Sequence, residues 1–317
     1  MTRKYNPAIH GAEDRNSVEM IRFRAGTGDW SAFNQSGITL DEIRRAAAEW
    51  AIQLRAVDRP WLCWNVDDTW CRVQQRLVLE AGWTPVVGYD PRVGPPQIEP
   101  GSILIDFNAA FGLPTMWLHF PLEFAFLFTE RLAFWHADLL VRRAKMARYA
   151  AQFAALPDGT MAAVWNRPTL KSTLTRFYER RYWEVLGCTT RIASLRQFEQ
   201  GAGWWMRFQD NPNNDEAEQR RRRRWYWDSG TGPFYWDTRL GGKVVRIPNS
   251  DIDEGHCTSI KRKDYVRSSP INAKRNLSAE LSLNNDLQRK ATELGIGDLV
   301  PAATDDQTGI STATHSG

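Results

Sequence analysis

The chain has 317 residues, 42% of them hydrophobic, and 41 Lys and Arg against 37 Asp and Glu give a formal charge of +4. That apolar content supports a substantial core in one large or two small domains, and so mild a charge excludes nucleic-acid binding through the overall field. Four cysteines with no Cys-x-x-Cys pair exclude a cysteine metal cluster or a disulfide framework and fit reduced thiols in a cytoplasmic protein.

In chain order, the N-terminal Met-Thr-Arg-Lys-Tyr-Asn-Pro lacks the apolar core of a signal peptide, and residues 1–37 read as a polar, irregular arm. Thr39 and Glu42 form a capping box ahead of a helix to Leu54. Pro60 to Val66 reads as a strand, Asp67-Asp68-Thr69 as a helix cap, Trp70 to Ala81 as a helix closed by Gly82, and Pro85 to Tyr89 as a second strand. Strand, helix and strand in such quick succession imply a right-handed parallel crossover, hence an α/β sheet.

A third apolar run, Ser102 to Asp106, leads through Asn108 and Gly112 into a helix expected from Pro114 to Thr129. That stretch holds the most apolar window, Thr115 to Thr129, which is too short to span a bilayer and contains His119, Pro121 and Glu123. Arg131 to Val141 reads as an apolar strand interrupted by His136 and Asp138, residues two apart that share one face of a strand. A helix from Ala144 to Leu156, stopped by Pro157-Asp-Gly159, precedes a strand from Thr160 to Trp165. Asn211 to Glu218 reads as a polar loop running into the arginines Arg220 to Arg224. Asp228-Ser-Gly precedes a helix from Phe234 to Leu240, and a last strand from Val244 precedes His256. Residues 261–317 form a C-terminal extension, with one helix from Ser278 to Leu294 and a disordered end from Ala302. There is no internal repeat, Walker loop, Gly-x-Ser-x-Gly elbow or dinucleotide glycine fingerprint.

Ligands of open α/β sheets sit beyond the carboxyl ends of the strands, and Asp67, Asp68, Asp90, Asp106, His136 and Asp138 all fall there. Asp67 and Asp68 read equally well as helix caps. His136 and Asp138 together with the distant His256 suggest a divalent cation holding an anionic ligand.

This order of features resembles the GT-A glycosyltransferases, the nucleotide-diphospho-sugar transferase family, over residues 60–256. The resemblance implies a GT-A-like domain over residues 38–260: an α/β fold with a mixed, mostly parallel central sheet, flanking helices and terminal extensions. In that family a first crossover binds the nucleoside with an acid after the second strand, and an Asn/Gly loop leads to a strand ending in Asp-x-Asp that holds Mn²⁺ or Mg²⁺. Tyr89-Asp90 fits the acid, Asn108 to Gly112 the loop, and His136-Ala-Asp138 stands where Asp-x-Asp should, with His in place of the first acid. The resemblance thus implies donor binding by Asp67, Asp90, Asn108 and His136, and a Mn²⁺ or Mg²⁺ ion held by Asp138 and His256. Gly187-Cys-Thr-Thr-Arg191 and Gln200 to Trp205 resemble the acceptor segment, with Trp204 and Trp205 as an acceptor-stacking wall of which one ring at most can face a ligand. Asp228 is the implied base, which also reads as an ordinary N-cap; Glu199 and Asp237 are lesser candidates.

The implied activity is transfer of a sugar from a nucleotide diphosphate donor to an unidentified acceptor. Two rivals remain: a non-catalytic GT-A-like binding protein, suggested by His136, and a nucleic-acid-associated protein using Arg220 to Arg224 with Trp225 and Trp227. A run of like charge is also an ordinary solvated segment.

Overall fold

The computed structural model describes residues 17–165, 181–225, 228–256 and 283–301. Its centre is a seven-stranded sheet in the order β3-β2-β1-β4-β6-β5-β7, with β1 at Pro60–Asn65, β2 at Thr84–Tyr89, β3 at Ile103–Leu104 and β4 at Arg131–Trp135. β5 spans Thr160–Trp165, β6 Tyr182–Thr190 and β7 Lys243–Pro248. β6 alone runs against its neighbours β4 and β5; the other pairings are parallel.

The expected crossover is present. β1 is buried along its whole length, as a parallel central strand must be when both faces are covered. Its alternation divides the core in two. Leu62 and Trp64 face a cluster that includes Phe107, Phe134 and Trp205, while Trp61 and Cys63 face one that includes Trp135, Phe153 and Leu287. The crossover helix, α4 (Asp68–Glu80), is capped by Asp67, whose side chain accepts from the Trp70 N–H. Before it, α3 (Leu40–Gln53) carries the capping box of Thr39 and Glu42.

The N-terminal arm is corrected in part: residues 18–35 are built into the core. They form α1 (Val18–Gly26) and α2 (Trp30–Gln35), capped by Ser17 and Asp29. Ala25, Ala32 and Phe33 enter the first cluster, and the Trp205 indole N–H donates to the Gly26 carbonyl at 3.2 Å. A Cβ on Gly26 would stand 2.0 Å from the Thr115 carbonyl oxygen, so glycine is what lets α1 dock there.

Three other expectations shift. The helix expected from Pro114 to Thr129 is only α5 (His119–Glu123) and a following 3-10 turn, Ala125–Leu127. Pro121, having no N–H, is tolerated only in a helix's first turn, which rules out an unbroken helix beginning at Pro114. The third apolar run contributes just Ile103 and Leu104 to the sheet edge. The strand expected to reach Val141 ends at Trp135: the His136 N–H still bonds the Val185 carbonyl, but the Leu139 N–H then turns back to the His136 carbonyl.

On the second face lie α4 and α6 (Arg143–Ala154), the latter supplying Met146, Tyr149, Ala150 and Phe153. α7 (Arg191–Glu199) follows β6, then come α8 (Glu216–Arg222) and α9 (Thr231–Arg239). α10 (Leu283–Glu293) matches the expected C-terminal helix and docks Leu287 and Ala291 into the second cluster. The expected disordered end, the rest of residues 257–282 and Trp227 lie outside the described residues. Cys63, Cys71 and Cys188 are buried free thiols. Among the described residues no helix is long and apolar enough to cross a membrane.

Candidate metal centre at the carboxyl end of the sheet

β1 and β4 lie side by side and parallel, but the chain leaves β1 toward β2 on one side while β6 and β5 lie on the other. The crevice beyond their carboxyl ends is therefore a topological switch point, where open α/β sheets take ligands. His136 is the first residue past β4, and Asp138 follows it in the turn. They are not alternate residues of a strand, as the sequence suggests. The turn brings His136 Nδ1 to 3.7 Å from Asp138 Oδ1.

Buried Gln74 on α4 holds that turn, its amide donating to the His136 carbonyl at 2.7 Å and the Leu139 carbonyl at 2.8 Å. His256 arrives from the segment after β7 through a bridge between Leu139 and His256, with the Leu140 N–H donating to the Gly255 carbonyl at 3.1 Å. A Cβ on Gly255 would stand 1.7 Å from the Leu140 carbonyl oxygen, so only glycine permits this approach. The result places His256 Nε2 at 3.4 Å from Asp138 Oδ1.

On the other side of His136 stands Glu184. β6 runs antiparallel to β4 with Leu186 opposite Trp135, so Glu184 projects just beyond the end of β4. Its Oε1 is 3.4 Å from His136 Nε2 and 3.3 Å from Nε2 of His119, at the start of α5. The Ser229 hydroxyl donates to the same oxygen at 2.7 Å. Burial acts against the Glu184 charge, yet the close His119 and His136 imidazoles hold its carboxyl well below the usual range. His136 moves the other way: burial works against its charge, but Glu184 and then Asp138 raise its pKa, with Arg181 opposing.

Two groups of ligand atoms thus share His136: His136, Asp138 and His256 in one, His119, His136 and Glu184 in the other, with all atoms of each group within 4.8 Å of one another. The chemistry separates their roles. An imidazole that donates Nε2–H to Glu184 has its Nδ1 lone pair left for a cation, the arrangement by which a second carboxylate fixes the tautomer of a metal-ligating histidine. Asp138 has no such partners. It is buried, accepts no hydrogen bond among the described residues, and meets only the two imidazoles. His256 Nε2 is buried without a hydrogen bond of good geometry. The Asp138 side chain keeps 11% of its surface exposed, and a divalent cation would give the carboxylate a charged partner that neutral imidazoles do not. Two imidazole nitrogens and one carboxylate oxygen suit Mn²⁺, Fe²⁺ or Zn²⁺ better than Mg²⁺ or Ca²⁺.

Asp228 lies beside this group without touching it. Its carboxylate takes Arg181 at 3.0 Å and the Ser229 N–H at 2.9 Å, and the connection to Glu184 runs through Ser229. It is not the N-cap of α9; that position belongs to Gly230, with φ of 82°.

The remaining sequence candidates serve the fold. Asp67 is a buried helix cap whose carboxyl is raised by burial against the opposing Trp70 and Thr69 N–H groups. Asp90 receives Arg92 and the Thr115 hydroxyl, closing the loop after β2. Asn108 bonds Leu113 in both directions at 2.9 Å, tying its own loop. Trp204 and Trp205 form no acceptor wall, because both are buried. Trp205 packs edge-on to Phe33 and Phe120 with centroids at 5.4 and 4.8 Å, and Trp204 meets Phe134 at 5.4 Å. The glycine between Ala202 and Trp204 admits a protein group, not a ligand: a Cβ on Gly203 would stand 2.2 Å from Glu123 Oε2. Gly187 to Thr190 is buried central strand. Asp237 accepts from Arg246 and the Tyr182 hydroxyl.

The arginine run is not a free basic strip. Arg222 is buried, with Nε on Glu218 at 2.8 Å, while Arg220, Arg221 and Arg223 pair with Glu216, Glu218 and Asp210. Glu184, His119 and Gln74 are the residues that sequence reasoning passed over. The signal available for Glu184 was an acid within an otherwise apolar strand, Tyr182-Trp-Glu-Val-Leu.

No protein-family model, curated protein or solved structure matches this chain.

Proposed function

We propose that the protein is a glycosyltransferase of GT-A type that moves a sugar from a nucleotide diphosphate donor, assisted by a divalent cation at His136, Asp138 and His256. The observation that carries this reading is Asp138: a largely buried carboxylate that accepts no hydrogen bond among the described residues, facing two imidazoles at the switch point of a mostly parallel sheet. Support also comes from the order of parts, a first parallel crossover, a His-x-Asp pair in the turn after β4 and a histidine after β7.

When bound, the cation would screen the charge that builds on the departing diphosphate. The chain's own residues set the conditions for this. Glu184 orients His136, Gln74 fixes the turn that carries Asp138, and Gly255 admits His256. Asp228 is the group for taking a proton from an acceptor hydroxyl. Arg181 and the Ser229 N–H each occupy one lone pair of its carboxylate, leaving others to accept the proton.

Hydrolysis or transfer with a panel of UDP- and GDP-sugars and Mn²⁺ tests the proposal. The expected result is Mn²⁺-dependent release of nucleoside diphosphate from one donor, lost in Asp138→Ala. No donor binding or turnover across the panel would overturn it. So would a preference for Fe²⁺ with consumption of dioxygen, because two histidines and a carboxylate with open positions also form the ligand set of non-haem iron oxygenases.

A further inference from the structure

The arginine segment that the metal centre leaves unused borders a cleft of about 550 Å³ between α8, the turn after it, and α9. Arg221, Arg224 and Arg239 line it together with Trp225, Tyr235 and Glu218. Glu218 is the single carboxylate of that lining and is already engaged by both Arg221 and Arg222. Arg224 and Arg239 are exposed and have no ion pair among the described residues. Among the described residues the cleft therefore holds more positive than negative charge beside the partly exposed Trp225 ring, with buried Tyr235 behind it, a pairing that suits an oxyanion carried on a ring.

Rigidity favours the same conclusion. Buried Arg222 anchors the floor, donating to the Gln200 carbonyl at 2.9 Å and lying over the rings of Phe208 and Tyr235 at 5.0 Å each. Trp225 packs against Tyr235 with centroids at 5.0 Å, so the aromatic wall is fixed before any ligand arrives. α9 then links the cleft to the metal centre. Its C-terminal residue Arg239 lines the cleft, and its N-terminal turn follows Ser229, which bonds Glu184. At a rise of about 1.5 Å per residue the nine-residue helix is about 13 Å long.

We propose that this cleft binds an acidic sugar, gripping its phosphate or carboxylate with Arg224 and Arg239, and so selects an anionic acceptor. The acceptor role rests on the glycosyltransferase reading; the binding site does not.

The test is calorimetric titration of the full chain, free of divalent cations, with glucose 6-phosphate, glucuronate, glucose and inorganic phosphate. The expected result is saturable binding of at least one charged sugar, tighter than inorganic phosphate, with none for glucose. Whichever charged sugar binds identifies the anion as phosphate or carboxylate. Arg224→Ala with Arg239→Ala is expected to weaken that binding by tenfold or more, about 1.4 kcal/mol per factor of ten, and Asp138→Ala to leave it unchanged. Both arginines are exposed, so the double variant should fold. The proposal is overturned if neither charged sugar binds, if inorganic phosphate binds as tightly, or if the double variant binds like the parent. Charged-sugar binding in a protein that turns over no nucleotide sugar would uphold the site while removing the transferase reading.

Discussion

Replacing Glu123 by Gln should make the protein's stability less sensitive to pH, by an amount that follows from the structure. Glu123 ends α5 at 3% exposure, with Oε2 accepting the Trp205 N–H at 2.8 Å and Oε1 lacking any hydrogen bond. Burial pushes its carboxyl up from 4.5 to about 7, against the opposing N–H groups of Trp205, Trp204 and Met206. Between those values the folded chain keeps a proton that the unfolded chain has released. Stability from this group is full below the unfolded value and falls by about 1.4 kcal/mol per pH unit as pH rises, levelling off above the folded value. The accumulated loss is about 3 kcal/mol. Gln has the same shape and no such titration. Urea unfolding followed by tryptophan fluorescence, run across mildly acidic to mildly alkaline pH, should therefore show the variant gaining about 3 kcal/mol on the parent as pH rises. A stability gap that is flat with pH, or that shrinks as pH rises, would refute the reasoning and mean that the three N–H donors outweigh burial.

Arg222→Ala should destabilise by about 3–5 kcal/mol in the same assay, because it strips the partner from the buried Gln200 and Gly201 carbonyls and the buried one of the two arginines from Glu218; a loss under 1 kcal/mol, roughly that of an exposed ion pair, would contradict the buried role. Gly187→Ala should cost about 1–3 kcal/mol by overpacking, since its Cβ would stand 2.4 Å from the Ala162 carbonyl oxygen and 2.5 Å from Phe134 Cζ. An unchanged unfolding midpoint would count against that packing. Glu184→Gln should weaken Mn²⁺ affinity about 10- to 100-fold through loss of the carboxylate that orients His136, and unchanged affinity would remove Glu184 from the site.

What the sequence made legible, and what it hid, divides along physical lines. The β1–α4–β2 crossover was readable because its signals are local: a strand apolar up to Asn65, an Asp N-cap, a helical repeat and Gly82 at φ of 75°. His136, Asp138 and His256 stood out as polar breaks at the ends of apolar runs, and the fold brings those three together. Glu184 and His119 were passed over because each is a lone polar residue among apolar neighbours, Glu184 within a strand and His119 on a short helix, and neither stretch tells that the fold brings them together. The two N-terminal helices were missed because α1 has no strong apolar face in its sequence, and its docking depends on close approach through Gly26 and on the indole of Trp205. Trp204 and Trp205 misled for a related reason. Flanking glycines announce a close approach without saying to what, and here the neighbour is Glu123. Arg220 to Arg224 read as a uniform charge run, yet a helical turn sends Arg222 inward and its neighbours outward.

The central claim is that Asp138, His136 and His256 form a cation site. Titration of Mn²⁺ into the metal-stripped protein, followed by calorimetry, tests it most directly. One Mn²⁺ per chain, bound more tightly than Mg²⁺ and lost in both Asp138→Ala and His256→Ala, is the result expected. Failure of the parent chain to bind, or undiminished binding by Asp138→Ala, would contradict it.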